Sequence, residues 1–222
     1  MAHPWEHQKP DLARLRVEYQ QQTLSEDEVD PDPMRQFLTW LNQAIAAQAH
    51  EPNAMTLATS TKDGRPSARI VLLKDMNPSG LAFFTHYQSR KGEELRENPH
   101  AAVVFYWPEL ERQVRVEGDV HPTSAEESDA YFASRPVQSR LGSAASAQSQ
   151  VIPSRHYLDE QMKFLQRTYP SGDVPRPEHW GGYRLRPQRF EFWQGRPNRL
   201  HDRIEYIQDS QSKKWIVRRL SP

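Results

Sequence analysis

The residues of this chain with the clearest chemical potential are three basic side chains near the C-terminus, Arg199, His201 and Arg203. If residues 199–206 are extended, the alternation of a β-strand places all three on one face. Neighbouring cations repel one another, and they cannot be buried without anionic or aromatic partners. A solvated edge strand, charged against aggregation, is the ordinary interpretation of such a stripe. The alternative is a face that binds an anionic ligand, and the rest of the chain favours it.

Two more cations, Arg90 and Lys91, follow Ser89 at the start of a predicted helix. The helix dipole is positive there and disfavours cations unless an anion is bound nearby. Backbone amides, an arginine and a lysine that converge on one point can hold a phosphate group. We therefore interpret this segment as a phosphate site in preference to a chance surface pair.

A third set of donors, Tyr131, Arg135 and Ser139, recurs at four-residue intervals. On one helix they would share a face, but Pro136 is expected to divide the segment into two helices. A guanidinium between two hydroxyls is a typical donor set for a second phosphate. Taken by itself, however, the segment is better explained as a helix C-terminus whose cation suits the dipole.

The segment 69–74 is predicted as an apolar strand with a cation at each end, Arg69 and Lys74. In a regular strand these two residues point to opposite faces, because an odd number of residues separates them. They could then serve two different ligand groups, unless a bulge changes their directions. Two solvated strand ends are an equally good interpretation of this segment alone.

Neutral groups that suit the edge of a flat heterocycle are present in Gln113, Gln148 and Ser149, and Trp193 could cover an aromatic ligand. Surface glutamines and a core tryptophan are the ordinary alternatives. No catalytic triad, pair of catalytic carboxylates or metal-binding cluster stands out. Groups for binding anions and rings, without an obvious nucleophile or metal, indicate that a bound cofactor performs the reaction.

The composition limits the partners of the protein. The 222 residues include 29 Lys+Arg and 29 Asp+Glu, and the formal net charge is zero. Nucleic acids and acidic membranes are bound through a sustained positive field, so neither is an expected partner. There is no cysteine, which excludes disulfides and thiolate metal sites, and the N-terminus has no apolar signal region. These features predict a cytoplasmic protein that contains no metal and no membrane span.

Short β-branched or aromatic runs, divided by turn signals, predict about nine strands with mostly hairpin-length links. This pattern favours a mainly β (α+β) fold, an antiparallel barrel with peripheral helices. Asp32 and Pro33 predict the start of a helix that ends near residue 49, after a polar, flexible segment at 1–30. The predicted strands are 55–60, 67–74, 81–85, 101–107, 113–121, 183–185, 189–193, 200–208 and 215–220; further helices are predicted at 91–97, 124–134 and 154–169, and an exposed loop at 143–149.

With these residues in view, the chain resembles the pyridoxine (pyridoxamine) 5′-phosphate oxidase family, FMN enzymes that make pyridoxal 5′-phosphate. The shared motifs occur in family order over roughly residues 10–222, and the ordered set is specific although each motif alone is not. The motifs are Arg69-Ile-Val-Leu-Leu-Lys74, Phe84-Thr85, Ser89-Arg90-Lys91, Glu111-Arg-Gln113-Val, Tyr131-Phe-x-Ser-Arg135-Pro, Gln148-Ser149, Trp180-Gly-Gly-Tyr183, Glu191-Phe-Trp-Gln-Gly195 and Arg199-Leu-His-Asp-Arg203.

The resemblance implies a split antiparallel β-barrel that forms a homodimer, with FMN in each of two clefts between the subunits. It implies one domain at 31–222, in which 180–222 serves dimerisation and substrate contact, and an N-terminal segment 1–30 that can fold over the site. The implied FMN-binding residues are Arg69, Ile70, Val71, Leu72, Leu73, Lys74, Phe84, Thr85, Arg90, Lys91, Gln113, Gln148, Ser149, Trp193 and Arg203. The implied substrate-binding residues are Arg16, Tyr19, Lys74, Tyr131, Arg135, Ser139, Arg199 and His201.

The implied activity is oxidation of pyridoxine 5′-phosphate and pyridoxamine 5′-phosphate by oxygen to pyridoxal 5′-phosphate. Hydrogen peroxide is released, together with ammonia from the amine. Arg199 and His201 are the implied catalytic residues, above the pyridine ring and opposite the flavin. Two alternatives stay open, because barrels of this type host several roles. One is a protein that binds flavin or pyridoxal phosphate without turnover, and the other is an FMN oxidase of another substrate, as in phenazine-pathway relatives.

Overall fold

The computed structural model of the protein describes Leu15 and residues 18–222. Within these residues the chain forms nine β-strands and five α-helices. The strands are Ala54–Ser60 (β1), Pro66–Leu72 (β2), Asp75–Asn77 (β3), Gly80–His86 (β4), His100–Trp107 (β5), Arg112–Pro122 (β6), Trp180–Gln194 (β7), Asp202–Gln208 (β8) and Trp215–Arg219 (β9). The helices are Pro33–Ala46 (α1), Arg90–Glu97 (α2), Ala125–Ser134 (α3), Val137–Ala145 (α4) and Arg155–Thr168 (α5).

The nine strands join one curled antiparallel sheet. Its order is β2-β1-β5-β6-β7-β4-β3, and β8 pairs with both β7 and β9. The antiparallel, mainly β architecture with peripheral helices that the sequence predicts is confirmed. Helix α2, which carries Lys91, packs against β1, and helix α3, which carries Tyr131, packs against β7.

The strand β7 divides the sheet into two parts. It is one strand of 15 residues, so the prediction of two separate strands in this region was wrong. Its first half pairs with β4 and its second half with β8, while β6 pairs along both halves. Pro187 lies between the halves, where the register with β6 shifts at Glu117/Gly118. A bulge absorbs the proline, which cannot donate a ladder hydrogen bond, without ending the strand.

The core lies on one face of the sheet and is covered by α1. Phe37 and Trp40 of α1 pack on Phe105 and Phe192, with ring centroids 4.9 and 5.2 Å apart. The helix begins where predicted, since the Asp32 side chain caps it and proline follows, but it ends at Ala46, three residues early. Along β6, buried residues alternate with half-buried ones. This strand therefore gives one side-chain set to the core and a second set to the opposite face.

Helix α4 is the second of the two helices expected on either side of Pro136, but its bounds were not predicted. Its residues 143–145 were expected to begin an exposed loop, and for these residues that expectation was wrong. Buried Leu141 explains the helix, because it packs with Phe132, Val174 and Trp180 in a second small core. None of the helices in the described part of the chain combines the length and apolarity that a membrane span requires.

Candidate active site

A cavity of about 340 Å³ lies between β2, β4 and the helices α2 to α4, and most of the predicted phosphate-binding residues line it. Four of its side chains are cations, Arg69, Lys74, Lys91 and Arg135, and none of the described residues that line it is an acid. Cations that face a cavity without carboxylates favour an anionic ligand. The remaining lining residues are Ile70, Val71, Leu72, Phe84, Thr85, Tyr131, Ser143, Gln148 and Trp180.

Lys91 is the most constrained of these cations. Ser89 caps α2 by accepting a hydrogen bond from Gly92 N, which places Lys91 in the first turn. The ammonium donates to Gln148 Oε1 at 2.9 Å and to Thr85 Oγ1 at 3.2 Å. Burial, and then the charge of Arg69, lowers the pKa of Lys91 to about 8. A buried lysine whose contacts are neutral oxygens is a group that a bound anion would stabilise.

Arg69 reaches the cavity from β2 but is also held from behind by Glu94 of α2, which the sequence did not single out. Burial by itself would raise the pKa of this carboxyl, yet the hydrogen bonds and cations around it outweigh burial and lower the pKa to about 2. The carboxylate is therefore ionised and holds the Arg69 guanidinium in place. Glu94 accepts from Ser67 Oγ at 2.6 Å, Arg69 Nη2 at 3.3 Å, Arg90 Nε at 2.9 Å and Thr59 Oγ1.

Arg90 is predicted to bind the cofactor, but the structure does not bring it to the cavity. Its side chain is 64% exposed and pairs with Glu94 on the same helix. Leu73 is also outside the lining, since it is buried in the main core. Ser149 follows Gln148 with a positive φ of 72° and is exposed.

Arg69 and Lys74 line the same cavity, because β2 ends at Leu72 and β3 begins at Asp75. The prediction of one regular strand from 67 to 74 was therefore wrong at its end. The break removes the alternation that would have separated the two cations. Both can contact one ligand in this arrangement.

Tyr131 of α3 belongs to an aromatic stack, and Arg135, the residue after α3, lies against it. The Tyr131 ring lies 3.9 Å from that of Phe84, and Phe84 lies 5.6 Å from Trp180. The Arg135 guanidinium lies 4.8 Å above Trp180, and burial lowers its pKa. The predicted division at the proline is confirmed, since α3 ends at Ser134 and α4 begins at Val137.

Ser139 does not line the cavity that contains this stack. It lines a neighbouring cavity of about 230 Å³, which shares Arg135, Gln148 and other residues with the first. The predicted substrate-phosphate set therefore extends over two adjoining cavities, and Arg135 lies between them.

The remaining predicted residues form a second group at the far end of β7. Tyr19, Trp193 and His201 contact one another with ring centroids 4.7 to 5.7 Å apart. Tyr19, Arg199 and His201 line a cavity of about 500 Å³. Arg16, also predicted here, lies outside the described residues.

His201 is oriented by the backbone. Its Nδ1 accepts a hydrogen bond from Arg196 N at 3.1 Å, so the neutral ring carries its proton on Nε2. Burial and the charge of Arg199 lower the pKa of His201, although Asp202 opposes this. The ring is therefore held neutral near pH 7, with Nε2 as a hydrogen-bond donor.

The basic stripe is not a strand face in the structure, and that prediction was wrong. Residues Pro197–Arg199 form a short 3₁₀ turn in which Asn198 and Arg199 have positive φ, and β8 begins at Asp202. Arg203 lies on β8 opposite Trp193, and Gln113 lies opposite Trp193 on β6. The missed partner here is Glu191, which accepts from Arg203 Nε at 2.8 Å and Nη2 at 3.1 Å.

The two groups lie at opposite ends of β7. Trp180 is the first residue of this strand and Trp193 is its last but one. At 3.3 Å per residue the path along the strand between them is roughly 40 Å, and the cavity of the first group shares no lining residue with that of the second. One chain therefore presents two separate half-sites, one rich in cations and one rich in aromatic rings.

Fold and cavities together define the class of the protein. A curled, divided antiparallel sheet with a cation-lined cavity beside β2 and β4 is a split β-barrel. Comparison with known proteins then gives the family. A family model described as "Pyridoxamine 5′-phosphate oxidase" matches residues 41–163, and one described as "Pyridoxine 5′-phosphate oxidase C-terminal dimerisation region" matches residues 180–222. The chain belongs to the pyridoxamine 5′-phosphate oxidase family.

Relatives of known name agree over almost the whole chain. The pyridoxine/pyridoxamine 5′-phosphate oxidase of Cyanothece sp. is 57% identical over 211 residues, which are 95% of this chain and 98% of that protein. The protein of the same name from Burkholderia multivorans is 57% identical over 212 residues, covering 95% and 99% of the two chains.

Solved structures extend this likeness. PhzG from Burkholderia lata, in complex with tetrahydrophenazine-1-carboxylic acid, is 34% identical with a TM-score of 0.85 and covers 90% of this chain and 98% of that one. A pyridoxamine 5′-phosphate oxidase-related, FMN binding protein from Nostoc punctiforme has a TM-score of 0.69 at 18% identity and covers 87% and 100%. The second likeness concerns the fold alone.

Proposed function

We propose that the protein is an FMN-dependent oxidase that converts pyridoxine 5′-phosphate and pyridoxamine 5′-phosphate to pyridoxal 5′-phosphate. Oxygen is the final acceptor, and the products include hydrogen peroxide and, from the amine, ammonia. The observation that carries the proposal is the cavity lined by four cations and by no described acid. Its donors suit a phosphate ester, and the family and the named relatives supply the substrate class.

The donors of this cavity fit FMN. Lys91 is buried with neutral oxygens as contacts, and Arg69 is held rigidly by Glu94, so both are prepared for a phosphate dianion. The Gln148 amide and the exposed apolar side chain of Ile70 suit the isoalloxazine ring. Bound FMN would supply the two-electron redox chemistry that oxidation of the substrate by oxygen requires.

The substrate phosphate would be held by Lys74, Tyr131, Arg135 and Ser139. Arg135 is fixed by Ser143 Oγ at 2.8 Å and by stacking on Trp180, which leaves little freedom to be lost on binding. Lys74 is exposed and reaches the cavity from the break between β2 and β3. A rigid guanidinium and a mobile ammonium together can adapt to one phosphate.

Arg199 and His201 would act on the pyridine ring. Nε2 of His201 is the free donor of a ring whose other nitrogen is bound to Arg196 N, so it can hydrogen-bond a polar substituent of the substrate. Arg199 would hold the ring against the flavin. Their contribution is orientation of the reacting carbon, for which a displacement of about 1 Å can cost a hundredfold in rate.

A complete site then requires two copies of the chain. The cation-rich half-site of one protomer would meet Gln113, Trp193, Arg203 and the Arg199/His201 turn of its partner. The separation of the two groups along β7 supports this arrangement, as does the family description of residues 180–222 as a dimerisation region. We therefore infer a homodimer with two FMN sites at the interface.

The test is direct. The purified protein, loaded with FMN, is incubated with pyridoxine 5′-phosphate in air while hydrogen peroxide and pyridoxal 5′-phosphate are measured. Equal amounts of the two products are expected. A yellow, flavin-loaded protein that forms neither would instead favour the binding protein without turnover.

The likeness to PhzG favours one further candidate, an oxidase of a phenazine precursor. A tricyclic acid without a phosphate ester has no use for the set of Lys74, Tyr131, Arg135 and Ser139. Comparison of pyridoxine 5′-phosphate with unphosphorylated tricyclic acids separates the two candidates. Faster turnover of the latter would reject the proposed substrate while retaining the oxidase.

A further inference from the structure

A buried arginine on β7, Arg184, connects the two segments that carry the proposed substrate-phosphate donors. Its side chain is 8% exposed. Nη1 donates to Gly80 O at 3.2 Å, and Nη2 donates to Asp75 Oδ2 at 2.9 Å and to Glu127 Oε1 at 2.5 Å. One fixed guanidinium plane therefore holds a backbone carbonyl and two carboxylates from two other elements.

Both carboxylates are directly coupled to the donors. Asp75 follows Lys74 in the chain and is the first residue of β3, so its position sets where the chain leaves the break after β2. Glu127 lies one helical turn before Tyr131 on α3, and Arg135 follows directly after that helix. A shift of either carboxylate moves a phosphate donor with it.

Other contacts of α3 lack this double connection. Ser128 Oγ accepts from Gly182 N at 3.2 Å, and Arg176 Nε donates to Asp129 at 2.6 Å. These bonds fix α3 on β7 and on the segment that precedes β7. They do not reach the segment of Lys74. Among the contacts of the described residues, Arg184 is the side chain that bonds to both segments.

We propose that Arg184 is a positioning residue, which sets the distance between Lys74 and the Tyr131/Arg135 pair to match one phosphate group. Arg184 does not line the cavity, so it acts through Asp75 and Glu127. This inference rests on the proposed function of the cavity. Affinity for the substrate phosphate then depends on a buried guanidinium that does not contact the phosphate.

The principal test compares the wild-type holoenzyme with Arg184→Lys, which keeps the buried charge but cannot bond three acceptors from one plane. The KM for pyridoxine 5′-phosphate should rise about tenfold while kcat stays within about twofold, because ground-state and transition-state binding of the phosphate weaken equally. The Kd for FMN should not change, since Arg184 reaches neither Arg69 nor Lys91, the two cations assigned to the FMN phosphate. Asp75→Asn, at a half-exposed position, removes the charge from one contact while its amide oxygen can still accept, and it should show a smaller rise in KM.

Arg176→Lys is the matched control. Arg176 pairs with Asp129 of α3 and donates to Trp180 O at 2.8 Å, but it does not reach Asp75. The KM of this variant should therefore match that of the wild type, while its melting temperature falls as in Arg184→Lys. If the KM of folded Arg184→Lys and Asp75→Asn equals that of the wild type, the proposal is wrong. It is equally wrong if kcat falls with KM unchanged, or if Arg176→Lys raises KM as much.

The proposed oxidase function is tested separately by turnover of the wild type. If the wild type forms no peroxide, the Kd of pyridoxine 5′-phosphate is measured for each flavin-loaded protein from the change in flavin absorbance. The same tenfold ratio between Arg184→Lys and the wild type is expected there. If the Kd of Arg184→Lys equals that of the wild type, Arg184 has no positioning role, whatever the reaction is.

Discussion

FMN affinity should depend on pH through Lys91. Its pKa of about 8, lowered mainly by burial, lies far below that of a free lysine. The charged form is therefore costly in the empty cavity, and a phosphate dianion would remove this cost by restoring a higher pKa. FMN binding then takes up a proton wherever Lys91 is neutral beforehand, so the affinity is full below pH 8 and falls as pH rises above it.

The expected size follows from this pKa. If the bound form stays protonated, Kd increases about tenfold between pH 7 and pH 9, which corresponds to about 1.4 kcal/mol. The phosphate group contributes little in this range, because its second pKa is about 6 and it is already a dianion. Proton uptake on binding should rise from nearly zero at pH 7 to about one half at pH 8.

The assay is quenching of flavin fluorescence as the protein without cofactor is titrated with FMN at each pH. Calorimetry in two buffers with different ionisation enthalpies counts the protons taken up. Lys91→Arg is the control, since its guanidinium stays charged over the whole range and should give a flat profile. A wild-type Kd that is constant from pH 7 to 9, or an equal slope in Lys91→Arg, would refute the role of this ammonium.

Two further predictions concern the aromatic half-site around Tyr19, Trp193 and His201. Arg199→Ala and His201→Ala should each lower kcat by about ten- to a hundredfold while FMN stays bound, as measured by peroxide formation and flavin content; full activity in both would remove them from the mechanism. Gly195→Ala places a Cβ 2.6 Å from Tyr19 Cγ, so Tyr19 should leave His201 and KM should rise, with roughly 1–3 kcal/mol lost in a denaturant titration. An unchanged KM would show that this contact of Tyr19 does not serve the substrate.

Features that depend on a few neighbouring residues were predictable from the sequence. Asp32 and Pro33 mark the start of α1 because a side-chain oxygen can satisfy the first amides and proline needs no partner there. Pro136 divides α3 from α4 for the same local reason. The β-branched runs gave most strands, although β7 was predicted as two strands; a bulge in its pairing with β6 absorbs Pro187 without ending the strand.

The orientations of the predicted side chains were harder to predict from the sequence. The stripe of Arg199, His201 and Arg203 assumed regular extended backbone, whereas positive φ at Asn198 and Arg199 turns the chain before β8 begins. Gly195, Pro197 and Asn198 are turn-forming residues, but they do not indicate that the turn continues through Arg199. The opposite error occurred at Arg69 and Lys74, where a break in the strand brings together two cations that alternation would have separated.

The sequence by itself determined which chemical groups the protein possesses, where its helices start, and the family to which it belongs. The tertiary structure decided which groups meet: Glu94 with Arg69, Glu191 with Arg203, and Arg184 with both Asp75 and Glu127. These partners lie 12 to 109 residues apart in the chain. Their contact depends on strand register and sheet curvature, which are set by the packing of the whole core and not by local preference.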